Sequence, residues 1–125
     1  MNSRARLLPE LELEVMKVLW RRDSATVADV QGELEPTRPL AYTTVMTVLD
    51  RLSRKGAADR AKKGRGYLYT PAISEQAVCE LAVDRLLDDF FARSPQKLLH
   101  YFQERRLGER TFVSNGSQPL DSSLL

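Results

Sequence analysis

The chain has 125 residues, 42% of them hydrophobic and 29% charged, with a formal net charge of +2. That length holds one domain, or a small domain with an accessory arm. A single cysteine (Cys79) and a single histidine (His100) leave no intrachain disulfide and no Cys/His cluster for a metal.

No P-loop, dinucleotide fingerprint or nucleophile elbow is present, so no cofactor is expected and the chain does not read as an enzyme. No apolar run is long enough to cross a membrane. The opening MNSRARLLPELELE lacks the apolar core of a signal peptide. A cytoplasmic protein without membrane insertion is expected.

Residues 1–7 read as a mobile arm. A first helix is expected from near Pro9, which a first turn tolerates, to about Arg22. Glu10, Glu12 and Glu14 favour the positive end of its dipole. Leu8, Leu11, Val15, Val18 and Leu19 form its buried face, with Met16 and Trp20 flanking. Asp23-Ser24-Ala25 breaks the pattern. Thr26 caps a second helix, with Asp29 three residues on completing a capping box. Val27, Val30 and Leu34 face inward, and Pro36-Thr37-Arg38-Pro39 is a rigid turn.

The third helix carries Val45, Val48, Leu49 and Leu52 on one stripe. Gly56 ends it, and Arg54 and Lys55 suit its negative end. Off the stripe lie Thr43, Thr44, Met46, Thr47, Asp50, Arg51 and Arg54. Threonine hydroxyls and threonine or methionine methyls are groups that read base edges. Two short strands follow, joined by a basic turn in which Lys62, Lys63 and Arg65 surround Gly64 and Gly66. Tyr67 and Tyr69 share one face of the second strand. From Arg38 to Gly66 there are eight basic residues and two acidic ones, which leaves the rest of the chain net acidic. That asymmetry is the electrostatic footprint of a nucleic-acid face.

Ser74 caps a fourth helix over about 75–93, with Val78, Leu81, Ala82, Leu86, Leu87, Phe90 and Phe91 apolar. A fifth helix over about 95–107 carries Leu98, Leu99, Tyr101, Phe102 and Leu107. Two apolar helices beyond a complete DNA-binding unit point to a dimerisation arm. From Gly108 the glycine, proline and serines read as a disordered tail. The expected architecture is mainly α with a small β-hairpin wing: a winged helix-turn-helix over 1–73, a helical dimerisation region over 74–107, and a tail over 108–125.

LELEVMKVLW at 11–20, ATVADV at 25–30, AYTTVMTVLDRLSRKG at 41–56 and GRGYLYTP at 64–71 resemble the penicillinase-repressor family of bacterial regulators, the BlaI/MecI type. The match runs from about Leu8 to Pro71 and extends by helix pattern to about Leu107. The resemblance implies a homodimer that binds a palindromic operator and represses an antibiotic-resistance or cell-envelope stress operon together with its own gene. It implies that Thr43, Thr44, Met46 and Thr47 approach bases and that Arg51 and Arg54 hold phosphate. Lys62, Lys63 and Arg65 then form the wing, and Tyr42 reaches a phosphate or packs beneath the helix.

Staphylococcal members are inactivated by cleavage at an Asn-Phe bond. The corresponding bond here reads Tyr101-Phe102, and a sensor protease is the partner such a switch implies. Copper-responsive relatives carry several C-terminal cysteines, which this chain lacks. A rival expectation is a winged-helix adaptor with only non-specific nucleic-acid affinity. Sequence preference in DNA binding separates the two.

Overall fold

The computed structural model describes residues 7–114, and side chains as far as Arg106. Most of the expected N-terminal arm and residues 115–125 of the expected tail lie outside the described residues. The element order is α1 (Glu10–Arg22), α2 (Val27–Leu34), α3 (Tyr42–Lys55), β1 (Ala58–Lys63), β2 (Gly66–Pro71), α4 (Glu75–Phe90) and α5 (Pro95–Ser114). Three helices followed by an antiparallel hairpin make a winged helix-turn-helix.

The helix ends follow from local chemistry. In α1 the backbone turns at Asp23, whose φ of 70° is a left-handed conformation that Asp tolerates. The capping box on α2 is complete: Asp29 N–H donates to Thr26 Oγ1 at 3.1 Å, and Thr26 N–H donates to Asp29 Oδ2 at 3.0 Å. In α3, Gly56 takes φ 81°. Ala57 N–H then donates to Leu52 O at 2.9 Å and Gly56 N–H to Ser53 O at 3.1 Å, which is a Schellman ending.

The chain divides into two compact units, residues 1–82 and 83–125. The core of the first is built from Val15, Met16, Val18 and Leu19 of α1, Val27, Val30 and Leu34 of α2, and Val45, Val48, Leu49 and Leu52 of α3, closed by Tyr69 and Ile73. Met16, expected only to flank the α1 face, is fully buried, whereas Leu8 and Leu11 pack against the core from its edge. Trp20 is a packing residue: half-buried, it donates from Nε1 to Ile73 O at 3.0 Å. Ala57 and Ala58 are both buried, so the small side chains let the hairpin start directly against the helices.

The hairpin pairs Ala58 with Pro71 through Lys63 with Gly66. Its two-residue loop puts Gly64 at φ 61°, the positive value a tight hairpin needs at its first position. Ala25, in the turn before α2, pairs with Tyr69 through two backbone hydrogen bonds of 2.9 and 2.8 Å. This bridge fixes the start of α2 beside the wing.

The first turns of α4 belong to the first unit. Ser74 Oγ accepts from Ala77 N–H at 3.0 Å, and Val78 is 6% exposed within the core. Val78 was expected on the dimerisation face, and its burial here withdraws it. Helix α4 also ends at Phe90, short of the expected 93. Ala92 and Arg93 both take left-handed φ (51° and 61°), and Ser94 caps α5 by accepting from Lys97 N–H at 3.2 Å. Pro95 disfavours helix at Ser94, which forces this turn.

Helix α5 runs to Ser114, past the expected stop at Leu107, so 108–114 is not a tail. One glycine costs a helix about 1 kcal/mol relative to alanine, and the Glu, Arg and Leu around Gly108 are good helix formers.

Candidate nucleic-acid interface

Helix α3 owes its position to contacts at both ends. Before it, Arg38 donates from Nη1 to Glu14 Oε2 on α1 at 2.8 Å, and Gln31 Nε2 of α2 donates to Leu40 O at 3.0 Å. At its last turn, Lys55 forms an ion pair with Glu12 of α1, whose side chain is 6% exposed. Two of the eight basic residues counted in the sequence, Arg38 and Lys55, are therefore engaged with α1. The wing, the outer face of α3 and its flank hold the other six.

That outer face is a row one side chain wide. Thr43, Met46, Thr47, Asp50 and Arg54 follow at helical spacing, opposite the buried stripe. Thr43, Thr47 and Arg54 are exposed, Met46 is 43% exposed, and Tyr42 at the helix start is 49% exposed. Thr47 Oγ1 donates to Thr43 O at 2.9 Å, which turns its methyl and its oxygen lone pairs outward. Thr44 is half-buried at the side of the row, and Arg51 is exposed on that same flank.

The hairpin stands beside the N-terminal half of α3. An open groove of about 340 Å³ runs between them, lined by Tyr42 and Met46 of α3, Lys63, Arg65, Tyr67 and Tyr69 of the wing, and Thr26 to Ala28 at the start of α2. The predicted residues Tyr42, Met46, Lys63 and Arg65 thus meet on one surface. Arg51, Lys62, Lys63 and Arg65 take part in no ion pair among the described residues. Their charge faces outward, as a polyanion partner requires.

Three wing and helix residues have roles that charge counting did not single out. Asp50 pairs with Arg54 Nε at 2.9 Å and lies 3.5 Å from Arg60 Nη1 of β1. The Arg60 guanidinium lies 4.3 Å from the Tyr67 ring centroid, and Lys62 Nζ lies 5.3 Å from it. The Arg60-x-Lys62 alternation, opposite Tyr67 and Tyr69 in the pairing, is the sequence signal for this stack.

At the start of α2, the Asp29 carboxyl is held below its ordinary range, chiefly by the Thr26 backbone N–H, with Lys63 adding a smaller attraction. Glu33 is lowered by hydrogen bonds from Arg21 and Arg22. A larger cleft of about 570 Å³ between α1 and α2 is lined by Glu14, Arg21, Glu33 and Arg38, already paired with one another, and carries no converging chemistry.

In the second unit, Leu86, Phe90, Leu99, Tyr101 and Phe102 are exposed, at 39 to 75%. Leu81 (in the first unit), Leu87, Phe91 and Leu98 are half-buried. Phe91 and Tyr101 pack edge to face at 5.6 Å between centroids. The Tyr101-Phe102 bond lies inside α5 with both side chains exposed. Cys79 is exposed, and His100 pairs with Glu104 at 3.5 Å. Among the described residues no group of acidic, His or Cys side chains could hold a metal, and no helix is long and apolar enough to cross a membrane.

The solution structure of the DNA-binding domain of the repressor BlaI aligns with a TM-score of 0.53 and 39% identity, covering 62% of this chain and 93% of that one. The penicillinase repressor of Bacillus licheniformis is 35% identical over 97 residues, 78% of this chain and 76% of its own length. The transcriptional regulator BlaI of Mycobacterium tuberculosis is 40% identical over 100 residues, 78% of this chain and 72% of its own. The penicillinase-repressor family model matches residues 8–112. With the hairpin wing and the exposed helix row already in place, these matches show that the chain belongs to the penicillinase-repressor family, a family of transcriptional repressors and not of enzymes.

Proposed function

We propose that this chain is a homodimeric, sequence-specific repressor that acts in the cytoplasm on a palindromic operator. The observation that carries the reading is the outward row of α3 standing beside a wing whose Lys62, Lys63 and Arg65 form no ion pair among the described residues. In this account Thr43, Met46 and Thr47 meet base edges in the major groove, where hydroxyl and methyl groups discriminate. Thr44 and Tyr42 touch the flank of the same site. Arg51, Arg54 and the wing bind phosphate and supply the salt-dependent part of the affinity.

Dimerisation through the second unit rests on Leu86, Phe90, Leu99 and Phe102, which a monomer leaves in water. Two recognition helices about one DNA turn apart, roughly 34–36 Å, would then read one half-site each. Repression follows when the dimer covers a promoter, and an antibiotic-resistance or envelope-stress operon with the repressor's own gene fits the family. Derepression by a sensor protease at Tyr101-Phe102 would need α5 to open locally, because a helical bond is closed to cleavage.

Selection from a randomised duplex pool tests this. A dyad-symmetric consensus with half-sites about 10 base pairs apart, or a multiple of that, is expected. A pool that stays random after repeated rounds would contradict it and favour an adaptor with non-specific affinity.

A further inference from the structure

Asp50 occupies the outward row of α3 between Thr47 and Arg54, on the surface that the operator reading turns toward a polyanion. A carboxylate there opposes phosphate. Its surroundings give it a use. Oδ2 lies 2.9 Å from Arg54 Nε on the same helix, an ion pair, and Oδ1 lies 3.5 Å from Arg60 Nη1 on β1. The Arg60 guanidinium is in turn placed over the Tyr67 ring, 4.3 Å from its centroid. One carboxylate therefore links the C-terminal half of the helix to the wing. A guanidinium has five N–H donors in a rigid fork. Asp50 faces the Nε edge of Arg54 and one Nη of Arg60, which leaves the other donors of both to a further oxyanion.

We propose that Asp50 is a positioning residue for DNA recognition, holding Arg54 and Arg60 as a paired phosphate clamp at the seam between recognition helix and wing. The inference rests on the operator-binding reading above. It makes a prediction opposite in sign to simple electrostatics. Removing a negative charge from a DNA-facing surface strengthens binding to any duplex through the counterion effect. A carboxylate that is only a charge would therefore, when neutralised, tighten operator and bulk DNA alike. A carboxylate that positions two arginines would, when neutralised, lose operator affinity while bulk affinity holds or rises.

The test titrates the full chain by fluorescence anisotropy. The probes are the duplex that the wild-type chain selects from a random pool and a shuffled duplex of the same composition. Wild type, Asp50→Asn, Arg60→Gln and the double variant are compared, with thermal midpoints recorded for each. Exposed ion pairs contribute little to stability, so the midpoints should stay close to wild type.

The expected result is a fall of about tenfold in the selected-to-shuffled affinity ratio for Asp50→Asn. Arg60→Gln reports from the wing side of the same contact, should Asp50→Asn fold poorly. The double variant should show less than the sum of the two losses, because both act through one contact. If Asp50→Asn tightens both probes by the same factor, or leaves the ratio unchanged, the positioning role is overturned while operator recognition stands. A wild-type chain with no preference between probes would overturn operator recognition and the clamp together.

Discussion

Glu12 and Lys55 pair across the N-terminal unit, with the Glu12 side chain 6% exposed and that of Lys55 29% exposed. The contact joins the first turn of α1 to the last turn of α3, so α3 is held from behind by an ion pair. Replacing one partner leaves the other charge largely desolvated. Lys55→Gln, which strands the buried Glu12 carboxylate, is expected to lower the unfolding free energy by about 2–3 kcal/mol in urea titration. Replacing both residues by leucine should recover most of that loss, because the desolvation cost disappears with the charges. A single variant as stable as wild type would show that the pair contributes nothing.

The capping box on α2 sets a stability limit on the acid side. Asp29 is held below its ordinary range first by the Thr26 backbone N–H, and Glu33 first by Arg21 and then by Arg22. Both carboxyls bind protons more weakly in the folded chain than in the unfolded one. Their contribution is therefore fully present above the unfolded values, near pH 4, and is lost as pH falls through the lower folded values. Asp29→Asn should flatten the acid limb of the thermal midpoint against pH without altering its slope above pH 6. Thr26→Ala should cost about 1 kcal/mol at neutral pH. An unchanged acid limb in Asp29→Asn would remove Asp29 from this account.

Gly64 has φ 61° and open space where a side chain would go. Substitution there is limited by backbone conformation alone. Arg65 does not share the positive φ, so the loop is of the II′ kind and any side chain at its first position is strained. Gly64→Asn should cost about 1 kcal/mol and the β-branched Gly64→Val about 2 kcal/mol or more. Chemical denaturation of the two variants checks the ranking, and equal stabilities would contradict it.

Phe90 is 75% exposed and Leu99 58% exposed. Phe90→Asp and Leu99→Asp should turn a dimer into a monomer in sedimentation velocity while leaving the melting of the N-terminal unit unchanged. That unit draws its core from residues up to Val78. Dimers persisting in both variants would place the interface elsewhere.

Much of this fold was legible because its cues are local. The stripe from Val45 to Leu52, the Thr26-x-x-Asp29 box and the glycines at 56 and 64 each determine their own backbone within a few residues. The exposed threonine row followed from the same periodicity.

Glu12 was not legible as a buried anion, because α1 carries Glu10, Glu12 and Glu14 together and only packing against α3 separates them. Asp50 and Arg60 were not legible as a pair for the same reason: they lie on different elements, ten residues apart. Val78 looked identical to the rest of the α4 stripe, and burial under the first unit distinguishes it. At Gly108 the local cue misled, since one glycine in good helical company does not end a helix.

The decisive property is a preference for one DNA sequence by a two-protomer complex. Fluorescence anisotropy tests it directly, with the duplex upstream of this protein's own gene compared against a shuffled duplex at several salt concentrations. A homodimeric operator-binding repressor should saturate at two chains per native duplex, prefer native over shuffled by about a thousandfold or more, and show a salt dependence shared by both probes. Equal, steeply salt-dependent binding to the two duplexes would contradict it and leave only a basic surface.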